Sequence, residues 1–203
     1  MPARLVVLAS GVGSTLQAVL DATRDPAYGA QIVAVGTDRD GTRAQERAEG
    51  AGIPVFTVRL SDFEQRAEFD AAVGDAIGSY APDLVVLAGY MKVLGPSVVR
   101  RFPIVNTHPS LLPAFPGGHA IADALEYGVK ISGVTVHWVD EGVDTGPILA
   151  QAAVPVEDGD TEDSLRSRIQ AVERDLYVET IRRVSAVSQQ SDAVATRPQE
   201  GVR

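Results

Sequence analysis

The sequence predicts a single α/β domain in which a doubly wound, mostly parallel sheet is flanked by helices. Three observations carry that prediction. Short apolar runs with little polar alternation recur along the N-terminal half, amphipathic stretches of helical length separate them, and 203 residues suit one compact domain. Unbroken apolar runs mark strands covered on both faces, and the strand–helix alternation marks parallel crossover units.

The predicted strands are Leu5 to Ala9, Gln31 to Val35, Val55 to Val58 and Leu84 to Ala88. Helices are expected over Ser14 to Thr23, Thr42 to Ala51 and Ser61 to Tyr80, the last opened by Ser61 and Glu64 in capping-box spacing. This order is Rossmann-like. After Leu94 the pattern changes, because Ile104 and Val105 lead into a segment carrying Pro109, Pro113, Pro116, Gly117 and Gly118, which reads as a functional loop. Ile131 to Val139 and Pro147 to Val156 read as two more strands joined by the turn Asp140 to Gly146, and Thr161 to Val184 as a long closing helix. Residues 1–184 make up the predicted domain. Ser185 to Arg203 is polar and aperiodic and is expected to be a disordered tail without a catalytic role.

With 45% hydrophobic and 22% charged residues, the chain has the means to build an apolar core. It has no cysteine, which excludes disulfides, thiolate nucleophiles and cysteine-ligated metal and fits a cytoplasmic location. Leu5 to Ala9 is too short for a signal segment or a membrane span. A net charge of −9 opposes long-range attraction of nucleic acid or anionic membrane, so neither is an expected partner. An anionic substrate must then be held by local donors.

Three places could carry chemistry. Ser10-Gly11-Val12-Gly13-Ser14-Thr15 lies between a strand and a helix, where free amides and the helix dipole favour a phosphate. It is neither a Walker loop nor a full dinucleotide fingerprint, since Leu16 stands at the third glycine position, and a tight packing turn is the alternative. Asn106 and His108, two positions apart on an extended segment, leave the same face and point towards one cleft; a purely structural histidine is an equal alternative. Asp144, by contrast, reads as a solvated turn residue unless the fold brings it to His108, where a carboxylate would keep the ring charged and oriented. The three histidines, His108, His119 and His137, match no compact metal-ligand spacing, so no metal is expected. No Gly-x-Ser-x-Gly elbow occurs for a serine hydrolase, and Trp138 reads as core.

The strings Asn106-Thr107-His108-Pro109-Ser110-Leu111-Leu112-Pro113, Gly133-Val134-Thr135-Val136-His137-Trp138-Val139 and Val143-Asp144-Thr145-Gly146-Pro147-Ile148 resemble the folate-dependent formyltransferases. The resemblance runs from about Arg4 to Val184. Within that superfamily the Ser10 to Gln17 loop, Leu87 to Leu94 and Gln170 to Tyr177 are most similar to the branch that formylates glycinamide ribonucleotide in purine biosynthesis. The resemblance implies that 10-formyltetrahydrofolate is the co-substrate and that Asn106, His108 and Asp144 are catalytic. It further implies that Gly13, Ser14, Thr15 and Glu173 bind the ribonucleotide. The folate site it implies comprises Arg66, Met91, Lys92, Val93, Leu94, Asn106, Asp140 and Asp144. Thr15 replaces a frequent asparagine and Ala114 a frequent lysine, which leaves the backbone of Gly13 and Ser14 as the firmest phosphate ligands. The competing expectations are hydrolysis of formylfolate and a nucleotide-binding module without turnover. Oligomeric state, a homodimer included, is not set by the sequence.

Overall fold

The computed structural model describes residues 1–195. Strands β1 (Ala3–Ala9), β2 (Ala30–Thr37), β3 (Val55–Thr57), β4 (Leu84–Leu87) and β5 (Ile104–His108) are parallel. With β6 (Ile131–Trp138) and β7 (Ile148–Pro155) they form a seven-stranded sheet in the order β3-β2-β1-β4-β5-β6-β7, β6 lying antiparallel to both of its neighbours. Helices α1 (Ser14–Ala22), α2 (Arg43–Gly50), α3 (Arg66–Gly78), α4 (Pro96–Val99), α5 (Ala120–Tyr127) and α6 (Glu162–Ala195) cover the sheet.

The missing polar alternation in β1 has a direct cause. Leu5, Val7 and Ala9 enter a core shared with Leu16 and Val19 of α1 and Tyr177 and Ile181 of α6. Val6 and Leu8 enter the opposite core with Phe69, Val73 and Ile77 of α3. Both faces are dry, so neither can be polar. The strand order reverses between β1 and β4, and the loops after these two strands lie side by side: the Ser10 amide donates to the Gly89 carbonyl at 3.1 Å and the Met91 amide to Ser10 Oγ at 2.8 Å. Such a switch point is where open α/β sheets bind ligands.

Three elements differ from the sequence-based expectation. Leu60–Asp62 is a separate 3-10 turn, and α3 starts at Arg66 with Gln65 and Glu68 forming the capping box in place of Ser61 and Glu64. Helix α5 was hidden within the Pro/Gly-rich segment; its N-cap, His119, makes no side-chain cap bond that could have announced it. Helix α6 does not end at Val184: Ser185 is buried and helical, and the helix runs to Ala195, which corrects the expected start of the tail. The part of that tail from Thr196 to Arg203 lies outside the described residues.

Tyr177 is fully buried on α6, and its hydroxyl reaches the carbonyls of Leu87 at 3.0 Å and Val105 at 2.9 Å. Burial first, then the charge of Glu173, pushes its phenol well above the usual range, so it stays a donor. Those carbonyls are the last of β4 and the one before Asn106 in β5. The clamp therefore holds the strand ends that carry the site.

Candidate active site

Asn106 on β5 pairs directly with His137 on β6, so both side chains leave the same face, and Asn106 Nδ2 lies 3.2 Å from His137 Nε2. His137 Nδ1 faces the Trp138 carbonyl at 2.8 Å and donates to it, and Nε2 lies between the Asn106 amide and Asp144 Oδ1, with its role set by whether the ring carries a second proton. The second amide hydrogen of Asn106 is not used by that bond. Asn106, His137, Asp144, Gly117, Lys92 and Val143 are among the residues lining a cavity of about 230 Å³ between the loop after β4 and the turn after β6. A larger apolar cleft of about 450 Å³ opens elsewhere, around Ala3, Trp138 and Leu149, but it contains none of these groups.

Asp144 is the centre of the polar cluster. Its Oδ2 lies 3.2 Å from His108 Nδ1 and accepts from the Gly117 amide at 2.8 Å, while Oδ1 lies 3.5 Å from His137 Nε2. The hydrogen bond with His137 holds the Asp144 carboxyl below the usual carboxylate range; burial opposes this, and the Gly117 amide and the charges of His108 and His137 reinforce it. The side chain is brought inwards by a left-handed backbone, φ 57° at a non-glycine residue. Next in the turn, Gly146 passes so close to β6 that a Cβ there would run into the Trp138 carbonyl. The condition set for Asp144 by the sequence, proximity to His108, is met.

His108 is placed differently from a simple donor facing substrate. Its Nε2 lies 2.8 Å from the Phe115 carbonyl and its Nδ1 faces Asp144, so both ring nitrogens meet acceptors. Only a doubly protonated ring satisfies both. The ring is buried behind Asp144, whereas His137 takes part in the cavity wall. His137 is the member of this cluster that sequence reasoning did not single out. Its signals were a place on a predicted strand and within one of the strings that carry the family resemblance, and neither says which residue of a neighbouring strand it faces. His119 is exposed at the start of α5, and no group suited to hold a metal ion occurs among the described residues.

The loop before α1 has the form expected of an anion site. Gly13 is its left-handed N-cap, φ 71°, and no protein acceptor meets the amides of Val12, Gly13, Ser14 or Thr15 among the described residues. Thr15 is buried and its hydroxyl donates to Glu173 Oε1 at 3.1 Å, so it orients Glu173 and leaves anion contacts to the backbone. Burial raises the Glu173 carboxyl above its usual range, with the Thr15 bond and the charge of Arg174 pulling the other way.

The remaining predicted residues divide between wall and brace. Met91, Lys92, Val93 and Leu94 line the cavity, Met91 and Val93 with 72% and 60% of their surface exposed, enough to cover a flat ligand. Arg66 is not in the wall: it donates to the Val93 carbonyl and to Asp70, and so holds the loop from behind. Lys92 Nζ lies 3.5 Å from Asp38, a buried carboxylate also bonded by Arg39. Burial opposes ionisation of Asp38, but the bonds from Arg39 and Ser10 and the charges of Arg39 and Lys92 outweigh it and lower its pKa. Asp140 lines the cavity and ties its own turn, accepting from the Gly142 amide at 3.1 Å and the Thr145 hydroxyl at 2.7 Å.

A side-chain amide, a carboxylate between two imidazoles and a helix-entry loop whose amides are unpaired among the described residues thus gather at a sheet switch point, as in a candidate active site. A sequence model of the formyl transferase family matches residues 3–181, and the chain belongs to that family. Among its relatives, phosphoribosylglycinamide formyltransferase of Mycobacterium tuberculosis is 57% identical over 182 residues, covering 89% of this chain and 84% of that protein. The enzyme of the same name from Bacillus subtilis is 35% identical over 93% of this chain and 98% of its own length. The crystal structure of glycinamide ribonucleotide transformylase 1 from Symbiobacterium toebii superposes with a TM-score of 0.88 at 45% identity, covering 91% of this chain and 88% of that one. The described residues include no helix long and apolar enough to cross a membrane.

Proposed function

We propose that the protein transfers the formyl group of 10-formyltetrahydrofolate to the amine of glycinamide ribonucleotide, giving the N-formyl ribonucleotide and tetrahydrofolate, a step of purine biosynthesis. The observation that carries this reading is the placement of Asn106, His137 and Asp144 on one cavity wall, with the unpaired amides of Gly13 and Ser14 two strands away across β4. Two strand spacings are roughly 10 Å. An extended phosphoribosyl unit with its glycinamide arm bridges such a gap, its phosphate on the loop and Glu173 beside its sugar. The folate then takes the cavity formed by Met91 to Leu94, Asp140 and Asp144, with Arg66 as the brace of its wall.

In this reading the substrate amine attacks the formyl carbon, and the carbonyl oxygen gains negative charge. The free hydrogen of the Asn106 amide meets that oxygen. His108 adds its Nε2 proton once that group leaves the Phe115 carbonyl, and Asp144 keeps the ring charged. The amine nitrogen gives up a proton and the folate N10 takes one as the C–N bond to the formyl carbon breaks, with Asp144 between the two histidines as the carrier. No covalent enzyme intermediate is required.

Hydrolysis of formylfolate would use the same donors with water as the acceptor, and the ribonucleotide loop favours the amine. The assay measures tetrahydrofolate release from formylfolate with and without glycinamide ribonucleotide. Release that depends on the ribonucleotide is expected. Equal release without it would mean hydrolysis, and binding without release would mean a module lacking turnover.

Ser14→Asp tests the phosphate end. A carboxylate at the entry of α1 competes with the substrate phosphate, so the KM for the ribonucleotide should rise roughly tenfold or more while that for formylfolate changes little. Equal increases in both would indicate a packing defect.

A further inference from the structure

Two groups of α2 reach the loop that enters α1. The Ala44 amide donates to the Gly11 carbonyl at 3.1 Å, and Arg47 donates through Nε to the Val12 carbonyl at 3.0 Å and through Nη1 to Gln17 Oε1 at 2.7 Å. A planar trans peptide carries its C=O and the following N–H on opposite sides. Tying back the carbonyls of Gly11 and Val12 therefore turns the amides of Val12 and Gly13 away from α2. The next carbonyl, Gly13, accepts from the Gln17 amide at 2.9 Å within the first helical turn, which turns the Ser14 amide out of the helix entrance. Contact between α2 and the loop is close enough to demand glycine: a Cβ on Gly13 would lie 2.8 Å from Ala44 Cα. Three successive carbonyls are thus fixed, and the amides that follow them are left unpaired among the described residues.

We infer that Arg47 is a positioning residue for phosphate binding, holding the Val12–Gly13 peptide with its N–H outward before substrate arrives. This rests on the phosphate reading of the loop given above. Of the three ties only the one from Arg47 belongs to a side chain, and that side chain is half-buried, so it can be removed without opening a core. A loop fixed in advance does not have to be ordered at the moment of binding, and that ordering would otherwise reduce affinity.

The test compares Arg47→Met, which keeps the alkyl stem and removes every donor, with Arg47→Lys, which keeps the charge but lacks the rigid two-nitrogen fork through which Arg47 meets Val12 and Gln17. In Arg47→Met the KM for the ribonucleotide should rise roughly tenfold, the worth of one strong hydrogen bond, with kcat and the KM for formylfolate within about twofold. The inhibition constant of inorganic phosphate against the ribonucleotide should rise by the same factor. The Gly13 amide signal of the ligand-free protein should also move in its nitrogen–proton NMR spectrum. Arg47→Lys should recover only part of each effect. An unchanged phosphate inhibition constant in Arg47→Met overturns the inference, as does full recovery by lysine with an unmoved Gly13 signal, which would reduce Arg47 to its charge. Failure of the phosphate reading looks different: inorganic phosphate would not compete with the ribonucleotide even in the unsubstituted protein, and Ser14→Asp would leave its KM unmoved.

Discussion

Asn106→Ala is expected to fold and to lose roughly 10²- to 10³-fold in kcat, the usual effect of removing one oxyanion donor from a site closed to water. The side chain is only half-buried at the cavity wall, so its truncation leaves no large void and thermal unfolding should change little. The amide also bonds His137, and the proper comparison is therefore His137→Gln, which removes the ring but leaves Asn106 in place. A loss in Asn106→Ala no larger than in His137→Gln would make Asn106 a holder of the ring and not a donor to substrate. Turnover near wild type would remove it from the mechanism altogether.

Asp144→Asn is expected to cost on the order of 10²- to 10⁴-fold in turnover, with smaller changes in the KM of either substrate. Asparagine tolerates the left-handed backbone that Asp144 adopts, so the substitution tests charge and leaves the fold of the turn alone. The carboxylate contacts both imidazoles, and the amide would offer them no negative charge. The carboxylate brings a pH dependence of its own. Its pKa is lowered by folding, so its contribution to stability is present above the usual carboxylate range and is lost as pH falls through the lowered value. In Asp144→Asn that acid-side dependence should shrink. Combined with His108→Ala, the loss should be far less than the product of the single losses, because the pair acts as a unit. Full multiplicativity of the two losses would leave Asp144 as a turn residue.

Much of this architecture was legible in the chain, for a physical reason in each case. The parallel strands were visible because two-sided burial forbids polar alternation, as in Leu5 to Ala9. Helix α2 was visible because Thr42 caps it, accepting from the Gln45 amide. Helix α3 was placed too early because Ser61 and Glu64 have the right spacing, yet the chain spends Leu60–Asp62 on a separate turn and Gln65 does the capping. Asn106, His108 and Asp144 do converge, as the resemblance implied. What no single stretch could reveal was cross-strand placement: His137 opposite Asn106, the Phe115 carbonyl on His108, and Thr15 turned towards Glu173 and away from the loop mouth. Arg66 was read as lining and is a brace, a difference decided by where its long side chain finds acceptors.

Helix α6 has a consequence for how the molecule comes into being during synthesis. Leu165 and Ile169 fill the core beside β6 and β7, while Tyr177 and Ile181 fill the one beneath β1, β4 and β5. The strands made first are therefore covered on that side only in part, by α1 and α2, until a segment more than 150 residues downstream emerges from the ribosome. The core on that face is incomplete without α6, and the nascent protein carries part of its apolar strand surface exposed through most of its translation. Nonsense mutations anywhere before Ile181 should accordingly yield aggregation-prone fragments and not shortened enzymes.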